Sequence, residues 1–313
     1  MAARTPRQIH FVTGKGGVGK SIVSCALARR FVREGDRTLL AQVNAKDAHA
    51  GLLGSGPIGD DIMALGPRLW AVNLTPAQAI REYALMTLKL ETLYKAVFEN
   101  RLTKTFLRFA PSLNELTMMG KLWFHAEERE GALFGSGEAR FDRIVVDLPS
   151  TGHALKLIAV ARVIAETVKV GPMAEKTRLM AEVFADPRRT TLHIVTLPEE
   201  LPVNETLELL AAVDRERTVH VGHLIANQVT ARAFDERTEP MLERVSGLAE
   251  KDAALGPIIA AGRRRLGRER LEARELARLL TAGRPIIDVP LFGDGHFAVA
   301  QVDRVGALLE EIP

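Results

Sequence analysis

"HFVTGKGGVGKS" (residues 10–21) decides how the rest of the chain is read. The short apolar run "QIHFVT" (8–13), rich in β-branched residues, predicts a buried parallel strand ending at Gly14. "KSIVSCALARRFVREG" (20–35) predicts a helix, from its apolar spacing and from Gly35 as its stop. Between them, Gly14, Lys15, Gly16, Gly17, Val18, Gly19, Lys20 and Ser21 fit G-x-x-x-x-G-K-[ST]. Glycines at this spacing let successive backbone N–H groups turn inward and cradle phosphates. Lys20 then reaches the β- and γ-phosphates, and the Ser21 hydroxyl can bind Mg²⁺. The helix that opens at Lys20, Ser21 and Ile22 points its positive end at the same charge. The strand before and the helix after are the context this loop needs, so a nucleotide site is expected. Lys15 is left over: it stands at the tip of the loop, five residues too early to share the task of Lys20.

Working outward, "TLLAQV" (38–43), "RIVVDL" (143–148), "TLHIVTL" (191–197), "HVGHLIAN" (220–227) and "RPIIDVPL" (284–291) predict further strands, and helical patterns alternate with most of them. That alternation implies an α/β fold: a doubly wound, mostly parallel sheet with helices on both faces. Two long helical stretches, about 76–130 and 159–187, read as one helical subdomain inserted on the sheet of a single domain spanning 1–313. There is one phosphate loop, hence one nucleotide site per chain.

Composition narrows the class. Lys+Arg 42 against Asp+Glu 39 leaves a net charge of +3, which does not suggest nucleic acid as a partner. Cys25 is the one cysteine, so a disulfide within the chain and a multi-cysteine zinc or iron–sulfur site built by one chain are not expected. No stretch reaches the roughly 18 apolar residues of a membrane span, and no signal peptide is recognisable at the start. The expectation is a cytoplasmic protein with at most transient membrane contact.

"GKGGVGKS" resembles the deviant Walker A loop of the ParA, MinD, nitrogenase-iron-protein and ArsA families. In those families the first lysine, here Lys15, crosses a dimer interface and neutralises charge on the partner's nucleotide. "FDRIVVDLPSTGHALKLI" (141–158) narrows the resemblance. It is similar to the D-T-A-P-T-G-H-T-L-R-F-L signature of the ArsA and tail-anchored-protein-targeting ATPases, with Asp147, Thr151, Gly152, His153 and Leu155 matching. The resemblance implies ATP/ADP as ligand, Asp147 holding Mg²⁺ through water, and Asp147, Pro149, Ser150, Thr151, Gly152 and His153 as switch II. "NLTPAQAIREY", "APSLNELTMMGKL" and "TLPEELPVNETLELL" resemble further stretches of the family. "LIANQ" and "VPLF" place Asn227, Pro290 and Leu291 where the family contacts the adenine.

Several departures bear on function. Switch I of better-known members reads D-P-A-H, and its aspartate positions the attacking water. Here "AQVNAKDAHAGLLG" (41–54) offers Asn44 in a gapless alignment, or Asp47 after a shift of three residues, which leaves "DAH" in partial register. Either residue can orient water, since phosphoryl transfer depends more on positioning than on a strong base; very slow hydrolysis is the other reading. No C-x-x-C is present, so a zinc-bridged dimer and metalloid extrusion are both disfavoured. Met86, Met118, Met119, Met173 and Met180 fall in the helical stretches, and two readings stay open for them. They form a groove for a client's apolar helix, as the resemblance implies, or an ordinary amphipathic core. "GRRRLGRERLEAREL" (262–276) reads as a solvated helix face.

The expected protein is a homodimer, or a dimer with a close paralogue, whose ATP cycle is coupled to a client helix. A non-hydrolysing ATP-gated module and a ParA/MinD-like positioning ATPase are the other classes.

Overall fold

The computed structural model describes residues 8–88, 112–129, 138–167, 172–235, 238–247, 255–293 and 298–313. Strand β1 (Gln8–Gly14) runs into helix α1 (Lys20–Arg33), whose chain turns at Gly35 (φ 98°), as the sequence predicts. Strand β2 (Thr38–Val43), the short helix α2 (His49–Leu53) and a hairpin of β3 (Met63–Gly66) and β4 (Leu69–Leu74) follow. Sequence reading missed the hairpin. Its strands are short, and the "GPR" between them turns with Arg68 at φ 64°.

Next come α3 (Pro76–Leu88), α4 (Leu113–Glu127), β5 (Arg143–Asp147), α5 (Thr151–Thr167), α6 (Pro172–Ala185) and β6 (Thr190–Thr196). The chain continues with α7 (Glu200–Glu216), β7 (His220–Val229), α8 (Thr238–Ser246), α9 (Leu255–Leu280), β8 (Ile286–Pro290) and α10 (Val299–Leu308). The eight strands form one sheet in the order β3-β4-β2-β5-β1-β6-β7-β8; every pairing is parallel except β3 with β4. The fold is α/β with a mostly parallel sheet.

Period-two alternation sends each strand's side chains to two cores. Ile9 and Phe11, with Leu39, Ala41, Ile144 and Val146, face a core shared with α4, α5, α6 and α7. Val12, Leu40 and Val145 face a second core shared with α1 and α10. Burial on both faces is why these strands read as continuous apolar runs.

Met119 and Leu122 of α4 are fully buried in the first core, with Met118 and Met180 at 3% and 2% exposure. These three methionines pack between helices and sheet in this core. The side chains of Met86 and Met173, and the helical sequence 89–111, lie outside the described residues.

A correction concerns residues 262–276. Glu269, Glu272 and Glu275 are buried and form a ladder along α9. Glu269 accepts the N–H groups of Ala233 and Phe234, and Glu272 accepts the N–H and hydroxyl of Thr230. Glu275 pairs with Arg274 and Arg278. Each carboxylate is held ionised well enough by these donors that its pKa falls, although burial alone would raise it. The helix thus grips the loop that follows β7.

Candidate functional site

The parallel strands deliver their C-terminal ends to one edge of the sheet, where β1 lies between β5 and β6. Crevices at such edges are where open α/β sheets bind ligands. The loop after β1 needs its glycines for stated reasons. Gly17 and Gly19 adopt φ 87° and 94°, which side chains disfavour. A Cβ on Gly14 would strike the Val195 carbonyl, and one on Gly19 would strike the Asn227 carboxamide.

Lys20, half-buried, donates from Nζ to Lys15 O at 3.1 Å. Burial lowers its pKa and the nearby Asp147 carboxylate partly opposes that. Ile22, half-buried, packs its side chain on the second core. Gly16 is exposed and Val18 buried, which anchors the loop.

Register pairs Val12 of β1 with Asp147 of β5, and this brings the loop's serine to the acidic strand end. Ser21 Oγ donates to Asp147 Oδ2 at 2.6 Å, and His49 Nε2 lies 3.0 Å from the same oxygen. Asp147 Oδ1 is buried without a hydrogen-bond partner. Beyond it, Thr13 Oγ1 donates to Pro149 O at 2.9 Å, tying β1 to the next loop. Ser150 O accepts the N–H groups of His153 and Ala154, which starts α5. Gly152 and His153 are exposed and Thr151 half-buried. Thr151 and Gly152 line a cavity of about 550 Å³ together with Leu155, Glu205, Glu208 and Leu209.

The segment after β2 has two distinct anchors. Asn44 is exposed at the strand end with φ 45°, a left-handed conformation that asparagine tolerates better than most residues. Asp47 accepts the N–H groups of His49 (3.1 Å) and Ala50 (3.0 Å) on one oxygen and of Ile58 (2.8 Å) on the other. Its carboxylate therefore organises the start of α2.

Asn227 is buried under the phosphate loop. Its Nδ2 donates to Val18 O at 2.8 Å, and its Oδ1 accepts from Gln228 N at 3.0 Å. Leu291 N donates to Val229 O at 2.9 Å, which brings Pro290 and the exposed Leu291 to the same strand end.

Lys15 ends in an ion pair within its own chain, Nζ to Glu205 Oε1 at 2.7 Å. Sequence reading missed both Glu205 and His49. Only the "DAH" triplet hinted at His49, and no local signal could reveal Glu205, which reaches Lys15 from α7. Cys25 is fully buried behind the loop; burial raises its pKa, so the thiol stays protonated and serves packing. Among the described residues, no helix is long and apolar enough to cross a membrane, and no three His, Cys, Asp or Glu side chains form a metal-holding group.

The profile of the anion-transporting ATPase family matches residues 7–180 and 166–251. The ATPase BagA of Mycobacterium tuberculosis is 27% identical over 262 residues, covering 82% of this chain and 74% of that protein. The arsenical pump-driving ATPase of Escherichia coli is 28% identical over 285 residues, covering 80% of this chain and 47% of that protein. The ATPase GET3B of Arabidopsis thaliana is 24% identical over 278 residues, covering 73% and 66%. With the profile match running through the phosphate loop, Asp147 and Asn227, the chain belongs to the anion-transporting ATPase (ArsA) family.

Proposed function

We propose that the chain binds ATP with Mg²⁺ at the Gly14–Ser21 loop and hydrolyses it as a two-chain switch that controls a client protein. The observation that carries this reading is the meeting of Ser21 Oγ and Asp147 Oδ2 at 2.6 Å beside the glycine loop. The donors fit magnesium: a hydroxyl and a carboxylate are hard oxygen ligands, and Asp147 Oδ1 is buried with no other partner. When bound, the metal would be held by Ser21 and, through water, by Asp147, and would neutralise charge on the phosphates.

In hydrolysis, water attacks the γ-phosphorus and the bond to the β–γ bridging oxygen breaks, yielding ADP and phosphate. The loop amides and Lys20 hold the phosphates in line. Asn44 is the better candidate to orient the water, because Asp47 already serves three backbone amides. Lys15 leaves Glu205 and adds its charge to a partner's nucleotide, much as an arginine finger does. The helical subdomain of about 76–130 and 159–187 is the part that moves with the switches and meets the client. Near-balanced charge supports an ATPase without a nucleic-acid partner.

The test is turnover and assembly measured together. Lys15→Ala is expected to lower hydrolysis about 10³-fold and abolish ATP-dependent dimerisation, with ATP affinity nearly intact. Full turnover in that variant, or a chain that hydrolyses ATP as a monomer, would remove the two-chain reading.

A further inference from the structure

His49 is fully buried, and no part of the reaction described above uses it. Its Nε2 lies 3.0 Å from Asp147 Oδ2, the oxygen that also accepts the Ser21 hydroxyl. A carboxylate is acceptor-only, so Nε2 carries the hydrogen. Two donors thus converge on Oδ2 while Oδ1 is buried with no hydrogen-bond partner, which fixes the rotation of the carboxylate.

His49 is also the first residue of α2, and Asp47 clamps that helix start by accepting the N–H groups of His49, Ala50 and Ile58. The imidazole therefore joins two elements that the sequence separates by 98 positions, the segment after β2 and the acidic end of β5.

We propose that His49 is a positioning residue that aims Asp147 at magnesium and links the metal site to the segment 44–58. This rests on the reading of Ser21 and Asp147 as the magnesium site. Residues that orient metal-ligating groups typically change metal affinity 10–100-fold when removed. A merely structural histidine would affect nucleotide binding equally with and without the metal.

The experiment measures the affinity of a fluorescent ATP analogue in Mg²⁺ and in EDTA, together with amide hydrogen exchange over 45–58. Wild type is expected to bind more tightly in Mg²⁺ and to gain protection over 45–58. His49→Ala is expected to lose about 10-fold of the magnesium gain and the added protection. Its affinity in EDTA should stay within about twofold of wild type, well below that range. His49→Gln, whose amide N–H reaches to a similar distance, should recover most of both effects.

An undiminished magnesium gain in His49→Ala overturns the proposal, as does an equal loss in Mg²⁺ and EDTA. Should His49→Ala fail to fold, His49→Gln is compared with His49→Asn, whose shorter amide does not reach; equal magnesium gains in the two overturn it. If wild type itself shows no magnesium gain, the magnesium reading fails, an outcome distinct from a defect confined to the variants.

Discussion

Lys15 and Glu205 are each about one-third exposed, 32% and 38%, and a pair in that setting contributes only about 0.2–1 kcal/mol. A pair this weak can exchange for a more negative partner, as the proposed two-chain switch requires. Glu205→Gln should therefore favour ATP-dependent dimers by up to about 5-fold, the equivalent of 1 kcal/mol, read by light scattering across an ATP titration. A shift toward monomer would show that Glu205 is needed for assembly instead.

A second residue-scale effect lies across the sheet from the helical side. His193 stacks on His10, with His223 and His220 of β7 and Arg30 of α1 adding positive charge around it. Burial first, then these cations, push its pKa from 6.5 to about 3. The folded state keeps the ring neutral while the unfolded chain takes up a proton below 6.5. Stability is therefore full above that pH and falls as pH drops toward about 3, by about 1.4 kcal/mol per pH unit. Urea unfolding between pH 7.5 and 5 should show this loss, and His193→Gln should reduce the slope by about one proton.

At the scale of elements, α9 does more than present arginines to water. Its spacing of three places Glu269, Glu272 and Glu275 on one face, and the first two bind the loop that begins at Thr230. That loop leaves β7 just after Asn227, which itself holds Val18 of the phosphate loop. Glu272→Ala leaves the buried Thr230 N–H without its acceptor and should destabilise the protein by about 1–3 kcal/mol in chemical denaturation. Amide exchange at 229–235 should accelerate more than at α1. Uniform acceleration would mean that the ladder stabilises the fold without holding this loop.

For the molecule as a whole, the two faces of the sheet carry unequal loads. α1 and α10 cover one face, and Arg30 closes it by donating to the Leu309 and Ile312 carbonyls. On the other face, α4 through α7 build a core that continues from the sheet into the helices without a seam. Met119→Ala should accordingly cost about 2–5 kcal/mol of global stability, measured as a lower thermal midpoint. A variant of unchanged stability that loses only client binding would assign Met119 to the groove instead of the core.

The chain's own order of residues determined the phosphate loop, the acidic strand end and the parallel strands, because these are local: a glycine pattern, an apolar run, a carboxylate at its end. Only tertiary structure decided what Lys15, Asp47, His49 and the α9 glutamates do. Lys15 meets a residue 190 positions away, and His49 meets one 98 positions away; no local pattern encodes such distances. The glutamates of α9 looked solvated because interspersed arginines fit an exposed face equally well. What buried Glu269 and Glu272 was a loop from β7 whose amides need acceptors, since buried amides require them.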